Sequence, residues 1–306
     1  MKRIFVAIFF ICLVILSGCS KIRSTTPSTP ANPILNKTIS TMNQMKSYWL
    51  STDLTRSYTV IQKSASSTFT DTWEWQSQRQ VDLQNREVDL FMDIHETPQV
   101  GAPYVLWQYL IGGWDYRDNL SPPVYSGAGQ INGWTKNKLN DGYAPLLSDE
   151  SQLNTQIELL QSANNIDSFG TETINGVNYE IIQFSPSPQA AADWVLSQTG
   201  FDGPSLGWWF TTTERSKEIY VNALKSSSVK IWVDQNDYSL LKENISFSYD
   251  AVPGNVMSAD VRINGDNVGF QHILVAFTGE WDFSNYNRQF EIQLPHDALG
   301  AQDETN

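Results

Sequence analysis

The polar and apolar positions of this chain change period several times, and each change marks an element. After Pro33, the residues Ile34, Leu35, Ile39, Met42, Met45 and Tyr48 recur at helical spacing, with Asn36, Lys37, Ser40 and Thr41 on the other side. That stripe predicts an opening amphipathic helix. Alternation with period two follows. Arg56 to Lys63, Thr68 to Val81 and Glu87 to Glu96 each set apolar residues against polar ones, most clearly Val88, Leu90, Met92 and Ile94 against Asp89, Asp93 and His95. Such alternation predicts sheet with one buried and one wet face. Tyr104 to Tyr116 reads as two strands around Gly112-Gly113, and Thr171 to Ser185 as a hairpin around Asn175-Gly176. Ser151 to Ser162, Gln189 to Gln198 and Thr213 to Leu224 are expected helices, with Asn165 to Ser168 ending the first of them. Ser227 to Val233, Tyr238 to Tyr249, Ala259 to Ile263, Val268 to Thr278 and Phe290 to Leu294 return to strand. One helix, a long series of strands and helices inserted among them predict an α+β fold built on one large curved antiparallel sheet.

The N-terminus follows a different pattern. Lys2 and Arg3 precede an apolar run from Ile4 to Leu16, then Ser17-Gly18-Cys19. Two cations and about a dozen apolar residues make an export leader, shorter than the roughly 20 residues of a membrane-spanning helix. Leu16-Ser17-Gly18-Cys19 resembles the bacterial lipobox, which implies cleavage before Cys19 and a lipid, with palmitate among its acyl chains, on that cysteine. The expected organisation is a leader over 1–18, a Ser/Thr/Pro tether over 19–33, one domain over 34–300 and a polar tail over 301–306. The tether cannot pack a core and serves as a spacer.

Charge and cysteine content narrow the partners. The net charge of −13 becomes −15 once Lys2 and Arg3 leave with the leader. A body so acidic repels nucleic acid and anionic lipid surfaces, so the anchor must supply the membrane attachment. Cys12 leaves with the leader too, so Cys19 is the sole mature cysteine and no disulfide supports the domain. Eleven tryptophans stand out. Most suit the strands of a large β-protein. The contiguous Trp208-Trp209-Phe210, with Phe201 and Leu206 in the irregular stretch 199–212, are candidates for the lip of an apolar cleft, or for a plug over it. Trp107, Tyr109 and Trp114 are further cleft candidates that also suit a core.

Several passages together resemble the LolA-like superfamily, and more closely exported lipoproteins of the LppX/LprG type. They are Met45-Lys46-Ser47-Tyr48, Tyr109-Leu110-Ile111-Gly112-Gly113-Trp114, Gly170 to Tyr179, Val229 to Asp234, and Phe283 to Arg288. The resemblance implies a half-barrel whose concave side is covered by the N-terminal and inserted helices, holding acyl chains in an apolar cleft. The function expected from it is that of a membrane-anchored carrier or chaperone on the extracytoplasmic face of a bacterial membrane, binding a lipid or other apolar small molecule. An envelope sensor that binds a protein partner is the alternative.

Catalytic chemistry is weakly represented. Gly203-Pro204-Ser205-Leu206-Gly207 has the Gly-x-Ser-x-Gly spacing of a nucleophile elbow but lacks the preceding apolar strand and following helix, so a turn is expected and a hydrolase using Ser205 with His272 or His296 is the lesser alternative. His95, His272 and His296 have no zinc-ligand spacing, and Asp93 beside His95 fits the wet face of a strand. Asp234-x-Asn236-Asp237 resembles part of a calcium loop without its later Glu and is expected to be a plain turn. No cofactor, metal or catalytic residue is expected, and the chain is read as a binding protein.

Overall fold

The computed structural model describes residues 32–63, 68–97, 104–119, 133–139, 149–198, 213–253, 260–263 and 266–303. Helix α1 (Pro33–Asn43) begins where the sequence places it. The Asn32 side chain accepts from the Ile34 and Leu35 amides at 2.8 and 3.3 Å, and Pro33 opens the first turn without needing a donor. Leu35, Thr38 and Met42 form its buried stripe. The helix stops at Asn43, short of the expected Tyr48, which instead enters strand β1 (Ser47–Gln62). Tyr48, Leu50, Thr52 and Leu54 alternate inward there, and pairing on both edges of β1 outweighs the local helical spacing.

The strands are β2 (Thr68–Asp82), β3 (Glu87–Thr97), β4 (Tyr104–Ile111), β5 (Trp114–Asn119), β6 (Trp134–Lys138), β7 (Asn164–Ile174), β8 (Val177–Ser185), β9 (Leu224–Asp234), β10 (Leu240–Ala251), β11 (Asp260–Ile263), β12 (Asp266–Ser284) and β13 (Gln302–Asp303). They form one sheet in the order β13-β6-β5-β4-β3-β2-β1-β12-β10-β9-β8-β7, with β11 paired to β12. Every pairing is antiparallel except β13 with β6. The sheet curves and does not close, since β7 and β13 are its two ends. This is the expected α+β half-barrel.

Two turns follow the sequence closely. Gly112-Gly113 and Asn175-Gly176 take positive φ at both positions, as tight hairpins require. Two expectations are corrected. Asn165 to Ser168 do not terminate a helix but belong to β7, which pairs with β8 through two bulges, with Asn165 at positive φ in the first. Phe290 to Leu294 form no strand but run as irregular chain between β12 and the turn at His296–Gly300. Gln302 and Asp303, expected in a polar tail, pair with Thr135 and Lys136 of β6.

Helices α2 (Asp149–Gln161), α3 (Pro188–Gln198) and α4 (Thr213–Ala223) pack in series after α1, and α3 and α4 meet β9 and β10. The core lies between them and the inner face of the sheet. Trp194 of α3 sits edge-on to Phe247 and Trp281 at 5.3 and 5.0 Å, and Tyr220 of α4 meets Tyr249 at 5.1 Å. Gly279 makes room for this packing. A Cβ there would lie 2.7 Å from the Trp281 ring and 2.8 Å from the Asp53 carbonyl, so only glycine lets the indole lie on β12.

Candidate functional site

Cross-strand register assigns each inward residue. Even residues of β1 face odd residues of β2, even residues of β3 and β4, and odd residues of β12. Across the β1 to β4 half this face is an apolar wall. One tier runs Leu54, Trp75, Ile94, and the next ends in Met92 and Leu106; all five are buried. Leu90, Val88 and Leu110 extend it toward the far rim. These side chains join the helix-facing residues in a single core cluster. Each contributes roughly 1.5–3 kcal/mol when kept from water, so a contiguous wall of them favours apolar contact strongly.

Polar groups are inlaid in that wall at three places. Arg56 lies inward among apolar neighbours, 1% exposed, with its guanidinium 5.6 Å from the Trp73 ring and 5.0 Å from the Trp75 ring. Trp73 and Trp75 stack on one another at 6.2 Å, and the Trp73 indole N–H donates to Asp71 Oδ2 at 2.9 Å. Farther along, Thr52 and Ser77 share a 2.6 Å hydrogen bond, and Arg79 donates to Ser77 at 3.3 Å. Toward β5, Asp115 accepts from Gln108 at 2.8 Å and from Arg117 at 2.9 Å.

A fourth polar group lies under the helices. Glu243 of β10 is fully buried, and burial pushes its carboxyl up to about 8. With the Gln156 amide turned to suit its surroundings, its nitrogen donates to Glu243 at 2.6 Å while its oxygen accepts from the Trp194 indole at 2.9 Å. The link ties α2 and α3 to the sheet.

The residues expected in the cleft divide. Trp107, Tyr109 and Trp114 stand on the convex face, because Leu106, Gln108 and Leu110 take the inward positions of β4 and the register carries that alternation into β5. Trp107 is exposed and tilts onto Phe91 at 4.8 Å. Tyr109 is buried against Trp134 at 5.7 Å; its hydroxyl is pushed up to about 12 by burial, with the Asp89 and Asp297 charges adding to the rise. Asp297 belongs to a short 3-10 turn (His296–Gly300) that contacts β6. Asp89 and Asp118, also convex, are raised above the usual carboxylate range by burial first; the Tyr109 hydrogen bond partly opposes the rise at Asp89, and Asp297 adds to it at Asp118. Cys19, Phe201, Ser205, Leu206, Trp208, Trp209 and Phe210 lie outside the described residues.

The histidines sit apart from one another. His95 lies 3.2 Å from Asp93 and His272 2.8 Å from Asp250, on β3 and β12, while His296 is in the C-terminal turn. Among the described residues no group of His, Cys, Asp and Glu is arranged to hold a metal. Asp234 and Asp237 accept from the Asn236 and Ser239 amides at 2.7 and 2.8 Å, the work of a turn. No described helix is long and apolar enough to cross a membrane.

Sequence reasoning passed over Arg56, Asp71, Trp73, Trp75 and Glu243 as a site. The available signal was a charged residue at an inward position of an alternating strand. Arg56 stands between Leu54 and Val60 with even spacing, and Glu243 continues the Ile245, Phe247, Tyr249 series.

No protein-family model matches the chain, and no curated protein sequence does. Among solved structures, the chain is similar to the lipoprotein LppX of Mycobacterium tuberculosis, at 11% identity and a TM-score of 0.38 over 85% of this chain and 96% of that one. It is similar to LprF from Mycobacterium bovis, at 8% identity and 0.46 over 86% and 95%. A LolA superfamily protein from Nitrosomonas europaea matches at 10% identity and 0.19 over 84% and 93%.

Proposed function

We propose that this chain is an exported lipoprotein, anchored through lipid on Cys19, that takes up an acyl chain along the inner wall of its half-barrel. The observation that carries the reading is the contiguous apolar wall of Leu54, Trp75, Ile94, Met92 and Leu106 on the inward face of β1 to β4. An unbranched hydrocarbon needs a long dry surface with few polar interruptions, and few convergent polar groups are enough to orient it. The lipobox-like Leu16-Ser17-Gly18-Cys19 and the acidic body support a protein held at a membrane by its anchor, not by surface charge. The role is that of a carrier or chaperone, with no chemistry performed on the ligand.

Protein purified without detergent is expected to release lipid on solvent extraction, detected by mass spectrometry. Delipidated protein should then bind a fluorescent fatty acyl probe with saturation. No co-purifying lipid together with no saturable binding would overturn the proposal.

A further inference from the structure

The wall has one end with unfinished hydrogen bonding. Asp71 is 3% exposed and faces inward from β2, opposite Tyr58. Its Oδ2 is held by the Trp73 indole at 2.9 Å, whereas among the described residues no hydrogen-bond donor reaches Oδ1. A buried carboxylate oxygen is normally supplied with a donor, because leaving it dry forfeits its hydration without return. Arg56 is the diagonal neighbour of Asp71 across the β1–β2 pair, and the stacked Trp73 and Trp75 lie against its guanidinium. Trp73 therefore touches both charged groups, and Trp75 leads directly into the apolar tier of Ile94.

We infer that Asp71 is the headgroup site of this cleft and that the ligand is a neutral, hydroxyl-bearing amphiphile. Its hydroxyl donates to Asp71 Oδ1, and its acyl chain runs from Trp75 along Ile94 and Leu106. A carboxylate or phosphate head would bring a second negative charge to Asp71 and provide no proton for Oδ1. A simple ester has no donor either. An acylglycerol meets both conditions. This rests on the acyl-binding reading above and adds the chemical class of the ligand.

The test measures displacement of an apolar fluorescent probe from delipidated protein by three ligands sharing one chain: monooleoylglycerol, methyl oleate and oleate. Monooleoylglycerol should bind at least about tenfold more tightly than methyl oleate, the low end of what a hydrogen bond to a charged group contributes. Asp71→Leu should erase that difference, and its saturable binding of methyl oleate shows that the variant folds. Should Asp71→Leu not fold, the wild-type preference alone decides. Equal binding of monooleoylglycerol and methyl oleate, or a preference for oleate, overturns the assignment and leaves the acyl-binding reading standing. Failure of all three ligands to displace the probe overturns both.

Discussion

Glu243 shows how one residue ties stability to pH. Burial raises its folded-state value to about 8 from the ordinary 4.5, so the folded protein keeps a proton that the unfolded chain releases between those limits. Stability from this group is therefore full below about pH 4.5 and declines as pH rises toward 8. The cost arises because ionising Glu243 would place a charge beneath α2 and α3, beside Gln156 and the Trp194 indole. Glu243→Gln keeps a neutral hydrogen-bonding group of the same shape. Its melting temperature, followed by calorimetry from pH 4.5 to 8, should fall less steeply than that of the wild type, and parallel curves would refute the assignment. At the same scale, Arg56 and Asp71 were readable as charged residues at inward strand positions, but not as neighbours. Their proximity depends on the pairing of Arg56 with Trp73 and of Tyr58 with Asp71.

Among the elements, α3 has the most concentrated role. Ala190, Ala191 and Ala192 let it approach the sheet closely, and Trp194 and Val195 fill the space beneath. Trp194 packs on Phe247 and Trp281 and bonds Gln156, so it joins two strands and a second helix. Trp194→Ala should cost about 3–5 kcal/mol, read from the urea midpoint at constant slope; a loss under about 1 kcal/mol would mean that the helices close over the gap. Hairpins such as Asn175-Gly176 were legible because two adjacent residues determine the turn. The boundary between α1 and β1 was not. Met45 and Tyr48 continue the helical stripe, yet Tyr48 also begins an alternation, and the choice went to the strand because β2 and β12 satisfy its backbone on both sides.

For the molecule as a whole, the proposed function gives the acidic body and the anchor on Cys19 separate tasks. Cys19→Ser should move the protein from the membrane fraction to the soluble one and abolish labelling by a palmitate analogue, while washing the wild type with high salt should release little, since its surface charge does not hold it. Retention of the serine variant on membranes would refute the anchor. The aromatic content also takes its meaning at this scale. Trp107 and Tyr109, obvious in sequence as a rich aromatic strand, lie on the convex face, whereas Trp73 and Trp75 lie on the concave side.

The sequence by itself determined the alternating strands, the tight turns and the α+β class, because each follows from neighbours a few residues apart. Tertiary structure decided which side of each strand faces inward. Alternation groups residues into two faces but does not label the buried one when both are apolar, as in Leu106 against Trp107 or Leu110 against Tyr109. Only the curvature of the sheet and the helices on its inner side make that distinction, and with it they bring Asp71, Trp73 and Arg56 together at the end of the wall.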